Sequence, residues 1–164
     1  MSFLVWLEQL RFSLWLNESS SIWAYPMFLF FHTLGLSIVA GGAAMIDFAI
    51  IGLWPKTPIR PLERLFPIIW IGFGINLVTG LSLLMKDATT KGTNIDFWVK
   101  MLFVLAGASL LPIIRKRIFG DPALDRVPLS GSAKRLAWAS LLCWFGAIIA
   151  GRLIAYVGPV SGIG

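Results

Sequence analysis

Residues 22–54, IWAYPMFLFFHTLGLSIVAGGAAMIDFAIIGLW, form an unbroken apolar run in which His32 and Asp47 are the only residues of the His, Asp, Glu, Lys and Arg types. A bilayer core about 30 Å thick takes about 20 apolar residues as a helix, so this run can cross one with its ends projecting or its axis tilted. Pro26 suits the first helical turn, where its missing N–H is no loss. Three further runs follow. Residues 65–85 carry Asn76 as their only strongly polar residue, residues 97–114 carry Lys100 near the start and Pro112 near the end, and residues 136–157 carry Arg152 close to the end. A proline near a helix end kinks at least cost. The expected fold is therefore all-α: an integral membrane four-helix bundle with spans at about 22–54, 65–85, 97–114 and 136–157, making one domain over 22–157.

Composition points the same way. The chain is 57% hydrophobic and 13% charged, about half the charged share of an ordinary soluble domain, which leaves too little polar surface to face water. The lipid bilayer is the expected partner. A net charge of +6 would point to nucleic acid in a soluble protein; here most cations sit in two short loops, so membrane orientation explains them and no nucleic-acid partner is expected. Cys143 is the single cysteine, which excludes an intrachain disulfide and a cysteine-based zinc site. Residues 1–21 read as an amphipathic N-terminal helix and linker. Phe3, Trp6, Leu7, Leu10 and Leu14 share one stripe of a helix over 3–16, too short to span and suited to the interface, and the polar run from Asn17 to Ser21 breaks it. With Glu8 and Arg11 and no basic leader, this segment does not read as a cleaved signal peptide. Residues 158–164 form a short C-terminal tail.

Four spans place both termini and the 86–96 loop on one side. The other side holds Lys56, Arg60, Arg64, Arg115, Lys116, Arg117, Arg126, Lys134 and Arg135, against Arg11, Lys86 and Lys91 on the first. The excess of cations marks the cytoplasmic side. The expected location is the inner membrane of a bacterium, with both termini periplasmic and Trp23, Tyr25, Trp98 and Tyr156 in the outer aromatic belt.

Because lipid supplies little drive for helix association, small residues mark the faces that meet. Gly35, Gly42 and Ala43 lie on or beside the His32 face. Gly72, Asn76 and Gly80 form a seam at i, i+4 and i+8, Gly107 shares a face with Lys100, and Gly146 with Ala150 makes a small-xxx-small pair.

Ionisable groups inside a bilayer are functional candidates until packing or snorkelling accounts for them. His32 falls roughly 9 to 15 Å below the outer boundary, and Lys100 and Arg152 roughly 5 and 8 Å, at 1.5 Å of rise per residue. One imidazole beneath two cations is an arrangement that a haem b can use: His32 as the iron ligand, Lys100 and Arg152 paired with the propionates, and Met101, Lys100 or another subunit as a sixth ligand. The plainer reading has His32 hydrogen-bonded to Asn76 or a backbone carbonyl, the two cations snorkelling to headgroups, and Asp47 paired with Lys56 or Arg60. His32 with methionine sulfur is also the donor chemistry of a copper site, though Met27 is off the His32 face and Met45 and Met85 lie at opposite ends. One histidine and no phosphate-cradling motif exclude a soluble-type hydrolase or nucleotide enzyme.

The runs FFHTLGLSIVAGGAAMIDFAIIGLW, FPIIWIGFGINLVTGLSLLM and FWVKMLFVLAG resemble a group of small bacterial four-helix membrane proteins. That group is similar in layout to the membrane part of copper resistance protein D and, more distantly, to b-type cytochromes. The resemblance spans about residues 22–157 and falls on His32, Asp47, the helix-two seam and Lys100; where those relatives use several histidines, this chain has one. It implies a membrane subunit of a bacterial redox or electron-transfer assembly, binding haem b or helping to form a quinol site near the periplasmic face, with other membrane or periplasmic subunits as partners. Such a chain is a non-catalytic subunit rather than an enzyme on its own. Two alternatives stay open: a copper or small-solute transporter with Asp47 and Asn76 along its path, and a structural anchor without a cofactor.

Overall fold

The computed structural model describes residues 2–55 and 57–157. Its N-terminal segment is two short helices, α1 (Ser2–Glu8) and α2 (Arg11–Glu18), where the sequence pattern predicts one over 3–16. The chain turns at Leu10, whose backbone is extended, and Ser13 Oγ, one turn into α2, donates to the Leu7 carbonyl at 2.7 Å. The turn brings Leu16 to full burial and sets Phe12 edge-on against Phe28 at 5.7 Å. α2 continues through Asn17 and Glu18, the start of the expected break.

α3 (Tyr25–Ile51) starts with Pro26 in its first turn. It stops short of the predicted Trp54 because Gly52 takes the left-handed conformation (φ 101°), and the N–H groups of Gly52 and Leu53 return to the Phe48 carbonyl at 3.1 and 3.0 Å. Glycine adopts this helix-ending geometry without a Cβ penalty. A 3₁₀ turn over Arg60–Arg64 leads into α4 (Leu65–Lys86), and the loop after it holds a short helix, α5 (Ala88–Gly92). α6 (Ile95–Ile114) is capped by the Asn94 side chain, which accepts from the Asp96 N–H at 2.7 Å. It carries Pro112 and runs on into one π turn over Arg115–Phe119. α7 (Gly131–Val157) begins ahead of the predicted Leu136, with Ser130 Oγ accepting from the Ala133 N–H at 3.3 Å.

Four helical segments, Tyr25–Ile51, Arg60–Lys86, Ile95–Phe119 and Gly131–Ile154, are long and apolar enough to cross a membrane. Their outward faces carry exposed Leu102, Leu105, Ile71, Val78, Leu142 and Ile149, a surface made for hydrocarbon. The chain is a multi-pass membrane protein built as a helical bundle.

Small residues set the helix contacts. A Cβ on Gly35 would lie 2.8 Å from the Gly72 carbonyl oxygen and 2.9 Å from the Asn76 nitrogen, and one on Gly42 would lie 2.7 Å from Ile69. The backbones of α3 and α4 therefore touch. Between α6 and α7 the glycines receive rings: Gly107 faces the Trp144 indole and Gly146 the Phe103 ring, each closer than 3.0 Å to where a Cβ would stand. The buried centre joins Val39, Ala43, Ile46, Phe66, Leu111 and Trp144, with Phe66 and Phe119 edge to face at 5.3 Å. At the basic end, the Asp125 carboxylate accepts from the N–H groups of Ile59 (2.6 Å) and Arg60 (3.0 Å) and so holds the two loops together. At the opposite end, Glu8 accepts from the Thr89 N–H and hydroxyl at 2.8 and 2.7 Å, fastening α1 to α5.

Candidate functional site

His32 sits in the N-terminal half of α3 and faces α4. Its Nδ1 lies 3.1 Å from the Asn76 carbonyl oxygen and 3.2 Å from Thr79 Oγ1. A carbonyl can only accept, so Nδ1 is the ring nitrogen that carries the proton, an assignment made from the hydrogen-bond network. The Thr79 hydroxyl gives its own proton to the Ile75 carbonyl at 2.7 Å, which leaves a lone pair towards Nδ1. Asn76 completes the exchange by donating from Nδ2 to the His32 carbonyl at 2.8 Å. The plainer sequence reading of His32, a bond to Asn76 or a backbone carbonyl, thus describes its inner nitrogen. Gly80 makes room for the ring: a Cβ there would lie 3.0 Å from Cε1. Nε2 bonds to no group among the described residues. Fixing one imidazole nitrogen on a carbonyl sets the tautomer and leaves the other as an acceptor or ligand.

His32 lines a partly open cavity of about 250 Å³ bordered by α3, α4, α6 and α7, with Lys91 reaching in from α5. Most of the wall is apolar, from Leu29, Phe73, Leu77, Leu84, Phe97 and Val104; the polar groups are few and come from Tyr25, His32, Asn76, Lys91 and Lys100. Few polar groups converging among apolar walls is the usual build of a small-molecule site. Lys100 reaches the cavity with its stem along Gly151, its Cδ and Cε 3.6 Å from where a Cβ would stand. Among the described residues it has no acidic partner. Lys91 Nζ donates to the Leu83 carbonyl at 2.6 Å and pairs with Asp87 at 3.3 Å. Burial pushes its ammonium below the ordinary lysine value, against the pull of Asp87.

Of the residues singled out from sequence, His32, Asn76, Lys100 and Met101 meet in this cavity, whereas Arg152 is exposed and off its wall although its neighbour Gly151 lines it. Asp47 is far from this group, fifteen residues along α3 or about 22 Å at 1.5 Å per residue. Buried Val39, Ala43 and Ile46 lie along the helix between them. Asp47 is 1% exposed and adjacent to Ser140, and its Oδ2 has no hydrogen-bond partner among the described residues. Of the cations expected to pair with it, Arg60 instead directs its guanidinium to the Asp121 carbonyl at 2.6 Å, and Lys56 lies outside the described residues. Among the described residues no three His, Cys, Asp or Glu side chains gather as a metal centre would need.

Sequence reasoning missed Lys91, Tyr25 and Thr79 as parts of this site. Thr79 had a signal, since it follows Asn76 by three residues and so shares its helix face. Lys91 had none: it enters the cavity only because the loop folds into α5. Set against known proteins, the chain matches no family model, no curated sequence and no solved structure.

Proposed function

We propose that this chain is a membrane subunit of a bacterial redox assembly and that the His32–Lys100 cavity receives the hydroxylated ring of a quinol. The observation that carries the reading is the bond from His32 Nδ1 to the Asn76 carbonyl. It commits Nε2 to accept, inside an apolar-walled cavity that also holds an ammonium. A quinol offers what that pair takes: one hydroxyl donates to Nε2, and the second oxygen accepts from Lys100. The aliphatic tail lies along Leu29, Leu77 and Leu84 and leaves for lipid between the helices. Oxidising a quinol releases two protons and two electrons. His32 receives one hydroxyl proton at Nε2, the second goes to water at the mouth of the cavity, and the two electrons pass one at a time to a one-electron carrier held by a partner subunit. With the basic loops on the cytoplasmic side, the cavity and both termini face the periplasm of an inner membrane, which lets the protons leave outward.

The same tautomer suits an iron ligand, but the rest of the site does not fit haem. A tetrapyrrole is larger than this cavity of about 250 Å³, and Arg152, expected to pair with a propionate, does not line it. A calorimetric titration of the detergent-purified protein with 2-methyl-1,4-naphthoquinol tests the proposal. Saturable binding is expected, weakened about tenfold by His32→Leu and by Lys100→Met, each loss being that of one buried hydrogen bond of about 1.5 kcal/mol. No binding, or binding that neither change affects, would overturn it. A Soret band in the purified protein that disappears in His32→Leu would replace the quinol with haem.

A further inference from the structure

A second cavity lies at the opposite, basic end of the bundle. It is an open groove of about 510 Å³ between the end of α3 and the start of α7, with Ala49 and Ile50 as its floor and Trp54, Arg126 and Lys134 on its walls. Four observations bear on what occupies it. The first is charge. Arg126 and Lys134 are exposed, and among the described residues neither has an acidic partner. Asp125, the one acid on the wall, is spent on the N–H groups of Ile59 and Arg60.

The second is depth. The Lys134 ammonium hangs over Gly52, 4.0 Å from where a Cβ would stand, so it sits level with the end of a membrane-spanning helix. The third is Trp54, 44% exposed and braced edge-on by Phe48 at 6.4 Å; half-exposed tryptophans of this kind settle at the headgroup level. The fourth is the surface below. Trp138 and Leu142 follow Lys134 at one-turn intervals on α7 and are 54% and 66% exposed, an apolar track running from the groove into the hydrocarbon.

We infer that this groove is a binding site for one anionic phospholipid. The phosphate sits between Arg126 and Lys134, the glycerol backbone rests on Trp54, and an acyl chain follows Trp138 and Leu142. The two cations outnumber the one carboxylate, Asp125, whose oxygens are both turned to backbone N–H groups, and so are left to meet a phosphodiester, which the anionic leaflet that a basic membrane face meets supplies. A soluble anion would have no use for the track.

Native mass spectrometry of the detergent-solubilised protein tests this with phosphatidylglycerol, phosphatidylethanolamine and inorganic phosphate as probes. Phosphatidylglycerol adducts should persist on the unaltered protein and fall about thirtyfold in the Arg126→Gln/Lys134→Gln pair, the effect of two surface cations. They should stay within a few fold in Arg115→Gln/Arg117→Gln, which removes the same charge from the same end. Equal loss in the two pairs, equal retention of phosphatidylethanolamine, or displacement of the lipid by inorganic phosphate would each overturn the site.

Discussion

The Asn76 carbonyl that orients His32 belongs to the backbone, so no side-chain change at position 76 removes the ring's anchor. A residue that can be silenced is Lys91. Its burial lowers the pKa in the folded protein, while the unfolded chain keeps the ordinary value near 10.4. Between the two, the unfolded state binds the extra proton, and stability therefore rises with pH across that window. Thermal unfolding in detergent should show this rise in the alkaline range, and Lys91→Met should flatten it. A wild-type curve already flat there would show that Lys91 is not buried as described. At this scale the sequence was legible where an ionisable residue interrupts an apolar run, as His32 and Lys100 do. It was silent on Lys91, which is polar among polar neighbours, and on the tautomer, which a backbone atom decides.

At the scale of helices, the contact between α3 and α4 rests on glycines that stand in two different situations. A Cβ on Gly35 meets backbone atoms of α4 at 2.8 and 2.9 Å, while one on Gly41 meets nothing within 4 Å. Gly35→Ala should therefore destabilise the protein by about 1 to 3 kcal/mol, as overpacking does. Gly41→Ala should be neutral or stabilise it by up to about 1 kcal/mol through helix propensity. Denaturant titrations of both variants check the pair, and equal effects would mean that α3 and α4 are not in backbone contact. All four spans could be read from the length of the apolar runs, because the bilayer imposes that length. Their ends could not. Gly52 stops α3 by its backbone conformation, Ser130 starts α7 before the apolar run begins, and the turn at Leu10 splits a stripe that looks continuous in sequence.

Across the whole molecule the two ends differ in kind. One end gathers cations on loops tied by Asp125 and holds an open groove. The other is covered by α1, α2 and α5 and holds the His32 cavity, and the helices between them are packed with apolar side chains. The expected pairing of Asp47 with Arg60 fails because the loops fold onto each other and engage Arg60 first. The proposed role rests on a bilayer-embedded imidazole that offers Nε2 to a ligand. Because His32 is the only histidine, its ring nitrogens can be observed without assignment by ¹⁵N solid-state NMR of the protein in lipid bilayers. On the neutral ring at alkaline pH, the proton should lie on Nδ1, and addition of 2-methyl-1,4-naphthoquinol should move the Nε2 resonance while leaving Nδ1 nearly in place. A proton found on Nε2 with Nδ1 bare, or an Nε2 resonance that ignores the quinol, would contradict it.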